Sequence, residues 1–145
     1  KVGEKINLSD SIFDFCLMFN LLEHVYDWDL LLNESYRLLK KNGKLIILIP
    51  FMYPIHGSPQ DYIRATNSFI KKKLVDSRFK KINIFSITYG PFTTSHLIGF
   101  GRLLKFKNSI NVILDKILKL IFPDFVKRYA INSPLFYFVE CIPEK

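Results

Sequence analysis

The stretch FDFCLMFNLLEHV, Phe13 to Val25, is an apolar run that breaks at Asn20 into a compact polar turn. The run from Phe13 to Phe19 is too short for an ordinary helix and lacks a surface-helix period, so it reads as a buried strand of a parallel sheet. In open α/β sheets ligands bind beyond the carboxyl ends of the strands, where loops and helix N-termini can surround a small molecule. Asn20, Glu23 and His24 are the polar groups that such a strand delivers to that edge.

Outward from the turn, Trp28, Leu31, Leu32, Leu38 and Leu39 recur at helical spacing within Tyr26 to Leu39. Asp27 or Asp29 can cap the start; Arg37, Lys40 and Lys41 load the end, and Asn42-Gly43 offers a left-handed stop. Lys44 to Pro50, KLIILIP, is a second apolar strand, which completes a βαβ unit. The connector FMYPIHGSPQDYIRAT, Phe51 to Thr66, starts where that strand ends and therefore overhangs the same edge as Asn20 and His24.

Beyond it, Asn67 to Val75 predicts a short helix capped by Asn67 or Ser68, and Lys81 to Thr88 a third strand stopped by Gly90-Pro91. Residues 93–129 carry no strand signal. Ile110, Ile113, Leu114, Ile117, Leu118 and Ile121, with Lys116 and Lys119 between them, predict a basic amphipathic helix ending near Pro123. Its apolar stripe is expected to face the core as a lid; contact with an anionic bilayer is the alternative. Pro134 to Ile142 closes the chain as a fourth strand.

With 145 residues, 49% of them hydrophobic, the chain can bury a real core, which excludes a disordered polymer. Leu45 to Ile55 is interrupted by Pro50 and Pro54 and falls short of the ~20 residues of a membrane span. Cys16 and Cys141 sit within apolar runs far apart in sequence, as core thiols of a reducing, cytoplasmic setting do. A net charge of +8 favours an anionic partner without choosing among nucleic acid, phosphorylated substrate and membrane. No aromatic-studded strand accompanies Lys71 to Lys73 or Lys80-Lys81, so a solvated face is expected there and nucleic-acid binding is not.

Three motifs stand in order: Ser11-Ile12-Phe13-Asp14, Leu22-Glu23-His24-Val25, and Arg37-Leu38-Leu39-Lys40-Lys41-Asn42-Gly43. Together they resemble the second half of a class I S-adenosylmethionine-dependent methyltransferase of the type 11 kind. The run Pro54-Ile55-His56-Gly57-Ser58-Pro59-Gln60-Asp61-Tyr62-Ile63-Arg64-Ala65-Thr66 resembles a subgroup of that family. Ile12 is an extra residue here, Lys41 stands where proline is usual, and Asn42 replaces the first glycine. The resemblance implies a partial Rossmann-like α/β sheet with flanking helices. Its strands would be the family's fourth to seventh, with the last antiparallel and inserted between the second and third strands of this chain. It implies one partial domain, residues 1–145, with a helical insertion at about 93–130. S-adenosylmethionine is the implied cofactor, its binding elements incomplete, and Asn20, Leu21, Glu23 and His24 the implied cofactor-binding residues. Glu23 and His24 could equally serve the turn's own structure. The glycine-rich turn that holds the cofactor's amino-acid end is missing. Gly99-Phe100-Gly101 follows no strand and is rejected for that role.

On the acceptor side, His56, Asp61 and Arg64 are the catalytic candidates. Methyl transfer needs in-line placement, a hydroxyl acceptor also needs a base, and an imidazole titrates in the right range. Arg64 could hold an anionic substrate as a fork, or pair with Asp61 to pin the loop. His24, His56 and His96 with Glu23 match no standard metal-ligand spacing, so no metal is expected. The chain thus reads as the carboxyl half of a methyltransferase acting on a small molecule or glycan precursor, inactive alone. The alternative is a non-catalytic module docking on a membrane or a protein through its basic helix. The first strand, left at a sheet edge, is expected to pair with another chain.

Overall fold

The computed structural model describes residues 5–57, 60–99 and 108–145. In order come β1 (Phe13–Phe19), a 3-10 turn (Leu22–His24), α1 (Trp28–Leu38), β2 (Leu39–Pro50), α2 (Asn67–Asp76), β3 (Phe79–Ile87), α3 (Pro91–Leu97), α4 (Asn108–Ile121), α5 (Pro123–Asn132) and β4 (Phe136–Pro143). The four strands form one sheet in the order β1-β2-β4-β3, with β1 and β2 parallel. Leu135 donates to Ile87 and Glu144 to Arg78, while Phe51 donates to Leu135 and Met52 to Pro134. Both ladders run in opposite senses, so β4 is antiparallel and inserted, as the resemblance implies.

Asp27 caps α1 by accepting the Asp29 amide at 3.0 Å. The expected Asn42-Gly43 stop is corrected: α1 ends at Leu38 and β2 begins at Leu39 without a left-handed residue between them. The register slips from Phe13 opposite Leu39 to Phe15 opposite Lys44, so residues 40–43 swell out as a bulge. Glycine serves close approach there, since a β-carbon on Gly43 would lie 2.9 Å from the Phe13 carbonyl oxygen. The cap of α2 is corrected as well: the hydroxyl of Thr66, which precedes Asn67 and Ser68, accepts the Phe69 amide at 3.3 Å.

The chain divides into two compact units. The first, residues 1–49, 56–85 and 137–145, has one buried sheet face. Met18, Leu45, Ile47, Ile49, Tyr137, Val139 and Cys141 are buried there, as are Trp28, Leu32 and Leu38 of α1 and Ile70 and Leu74 of α2. The Cys16 thiol meets the Ser35 hydroxyl at 3.5 Å, and the Trp28 and Phe69 rings stand edge to face at 5.3 Å. Removing a fully buried side chain of this set, such as Leu32, would cost about 2–5 kcal/mol. The expectation of a strand covered on both faces is corrected. Phe13, Phe15, Leu17 and Phe19 all project from β1 to an exposed face, where Ile46 and Leu48 are half-buried. The physical reason is that α1 and α2 shield the side carrying Cys16 and Met18, and the opposite pleat has no such layer among the described residues.

The second unit, residues 50–55 and 86–136, contains α3, α4 and α5. Here the lid expectation is corrected too. The residues α4 buries are Asn111 and Asp115, whereas Ile113, Ile117, Leu120 and Ile121 are exposed, Leu120 to 84%. Asp115 faces inward because it accepts the Phe92 and Thr93 amides at the start of α3. Lys105 and Lys107 of the basic helix region, the end of the Gly99-Phe100-Gly101 triplet and Ser58-Pro59 lie outside the described residues. No described helix is long and apolar enough to cross a membrane.

Candidate functional site at the carboxyl edge of the sheet

Asn20 ends β1 in a left-handed conformation, φ 48°, which asparagine tolerates, and its amide still donates to Leu48 on β2 at 2.9 Å. The chain therefore turns sharply at the carboxyl edge. The 3-10 turn that follows is held from three sides. The Trp28 indole donates to the Leu22 carbonyl at 2.9 Å, the Tyr62 amide to the Glu23 carbonyl at 2.7 Å, and the His24 amide to the Leu21 carbonyl at 3.0 Å. Tyr62 belongs to the connector, so the second loop is pinned against the first, as its start at the end of β2 predicts.

His24 strengthens this junction. Its Nδ1 lies 2.6 Å from the Gln60 carbonyl oxygen, and its ring packs edge to face on His56 with centroids 5.2 Å apart. A carbonyl only accepts, so Nδ1 carries the proton and Nε2 points elsewhere, 3.8 Å from Glu23 Oε1. The Glu23 side chain is fully buried, and neither carboxylate oxygen has a hydrogen-bond partner among the described residues.

His56 stands with Nδ1 3.5 Å from Asp61 Oδ2, and its amide donates to that same oxygen at 3.0 Å. Arg64 grips both Asp61 oxygens as a fork. Burial pushes the Asp61 carboxyl up, but the Arg64 hydrogen bonds and the His56 amide outweigh it and hold the group below its usual range. The guanidinium is thus spent on the loop, which is the pinning role that sequence left as an alternative for Asp61 and Arg64.

Glu23, His24, His56, Asp61 and Arg64 therefore form one connected cluster, whereas Asn20 and Leu21 join it through the backbone of the turn. Sequence reasoning missed Gln60 and Trp28, whose contacts set the His24 tautomer and anchor the turn; only the position of Gln60 beside Asp61 hinted at it. A depression of about 760 Å³ lies at the other end of the sheet beside Asp10, Glu34, Arg37 and Lys145. Asp10 and Glu34 both pair with Arg37, so this depression is not the candidate site.

The methyltransferase domain family matches residues 2–47, which span β1, the turn, α1 and most of β2. Solved structures give the same architecture. A phosphoethanolamine N-methyltransferase from Haemonchus contortus, bound to phosphomonomethylethanolamine and S-adenosylhomocysteine, aligns over 94% of this chain and 34% of its own at 17% identity, with TM-score 0.55. This is a class I methyltransferase fold. The sequence resemblance to S-adenosylmethionine-dependent methyltransferases of the type 11 kind holds. An S-adenosylmethionine-dependent methyltransferase from Archaeoglobus fulgidus covers 93% of this chain and 61% of its own at 14% identity, with TM-score 0.58. The geranyl diphosphate C-methyltransferase of Streptomyces coelicolor covers 95% and 50% at 15% identity, with TM-score 0.57. The chain thus spans from about a third to about three fifths of the length of these methyltransferases. No curated protein sequence matches it.

Proposed function

We propose that this chain is the carboxyl half of an S-adenosylmethionine-dependent methyltransferase acting on a small molecule or glycan precursor, inactive without the rest of its domain. The observation that carries the reading is the convergence of the Asn20–His24 turn and the His56–Arg64 connector on one sheet edge, joined by the Tyr62 amide and the His24 ring. In this reading the turn residues Asn20, Leu21, Glu23 and His24 line the cofactor side. His56 serves a hydroxyl acceptor as base, positioned by Asp61 and Arg64. The exposed apolar pleat of β1 supports incompleteness, because parallel sheets of α/β proteins are covered on both faces. The buried free thiol of Cys141 supports a reducing, cytoplasmic setting.

Isothermal titration with S-adenosylmethionine tests this. The chain alone is expected to show no saturable uptake at micromolar cofactor, and a version extended upstream by its own gene's sequence is expected to bind and to transfer methyl groups. Saturable binding by the chain alone would overturn the half-site reading.

A second reading is favoured by α4, whose exposed stripe of Ile113, Ile117, Leu120 and Ile121 lies beside Lys116 and Lys119. An apolar stripe flanked by lysines suits shallow insertion into an anionic bilayer. On this reading the chain is a peripheral membrane module, with or without catalysis.

A further inference from the structure

Among the described residues, one set of side chains could hold a metal ion: Glu23, His24 and His56, which offer ligand atoms all within 4.8 Å of one another. Spacing along the chain concealed this, because His56 arrives from the neighbouring loop. The decisive observation is the Glu23 carboxylate, which is fully buried with neither oxygen hydrogen-bonded among the described residues. A buried anion without donors is costly unless a cation meets it. His24 does not satisfy it, since 3.8 Å between Nε2 and Oε1 is too long for a hydrogen bond. That gap is close to the separation of about 3.4 Å between two ligand atoms that share a tetrahedral ion at about 2.1 Å each.

The surroundings are those of a ligating imidazole. Nδ1–H of His24 is committed to the Gln60 carbonyl, which fixes the tautomer and leaves Nε2 as the electron-pair donor on the Glu23 side. Metal-bound histidines are oriented by such an outer hydrogen bond, and behind His56 an Asp61 oxygen lies 3.5 Å from Nδ1, an ion-pair distance.

We propose that Glu23, His24 and His56 form a binding site for a divalent transition-metal ion of the Zn²⁺ class, with at least one open coordination position. Two imidazoles and one carboxylate are a donor set for such ions rather than for Mg²⁺ or Ca²⁺. The site goes beyond methyl transfer and does not rest on it. If the two coincide, His56 holds the ion instead of acting as base, and an acceptor oxygen in the open position is activated by the ion.

The test uses Co²⁺ as a visible probe, titrated into the metal-free chain, with Zn²⁺ as competitor and neither cofactor nor acceptor present. One equivalent of Co²⁺ is expected to bind with d–d absorption, to be displaced by Zn²⁺ and to raise the melting temperature. Glu23→Gln, His24→Gln and His56→Gln are each expected to weaken binding by about a hundredfold, the upper end of what even a lost supporting partner costs. His96→Gln, outside the cluster, is expected to bind as the parent does. His56 is 41% exposed at its side chain, so its variant keeps the test valid should Glu23→Gln not fold. No Co²⁺ uptake by the folded parent, or uptake that His56→Gln leaves unchanged, would overturn the assignment.

Discussion

Asp115 occupies the space that a side chain on Gly90 would need: a β-carbon there would lie 2.5 Å from Asp115 Oδ1. The same carboxylate accepts the Phe92 and Thr93 amides at 2.9 and 2.8 Å, so α3 borrows its N-terminal cap from α4. Asp115→Ala strands one buried and one part-buried donor and is expected to destabilise the second unit by about 2 kcal/mol. Gly90→Ala, at φ 156°, is expected to do similar damage by displacing that carboxylate. Urea unfolding of both variants is the check, and parent-like midpoints would refute the shared cap.

Glu34 and Arg37 bind the segment before β1. Arg37 donates to the Leu8 and Ile6 carbonyls, and the Ile6 amide donates to Glu34. Hydrogen bonding from Arg37 holds the Glu34 carboxyl down at about 2, from an ordinary value of 4.5. A depressed folded value means that the stabilisation is complete above 4.5 and fades as pH falls toward 2. Acid titration followed by exchange of the Ile6 amide should show protection lost in that window. Glu34→Gln should remove the pH dependence.

Much of this was legible in the sequence, and the reasons are local. Apolar runs such as Lys44 to Pro50 and the Asp27 cap depend on near neighbours, so strand order and the βαβ unit follow from them and from the motif resemblance. What escaped depends on distant partners. The inward turn of α4 is set by Asp115 reaching the α3 amides, and the His24–His56 contact is set by a connector folding back onto the turn. Periodicity ranks Ile113 and Ile117 as core because it counts apolarity and cannot see that two amides bind the opposite face.

That exposed stripe should have consequences at a lipid surface. The chain is expected to float with anionic vesicles, less so as salt rises, and Leu120→Glu or Ile117→Glu should each abolish flotation without lowering stability. Flotation that ignores both changes would place the contact elsewhere.

Among the described residues β1 pairs only with β2, and it carries Phe15 and Leu17, 59% and 58% exposed, on its open pleat. Concentration-dependent self-association is expected by sizing chromatography, and Leu17→Lys should suppress it. A monomer at all concentrations would contradict this.

Trp28 is the single tryptophan of the sequence, buried against Phe69 with its indole N–H on the Leu22 carbonyl. The turn thus comes with its own fluorophore. An ion or cofactor bound at Glu23 and His24 is expected to shift the peptide that this indole touches, and its emission should then report binding in unlabelled protein.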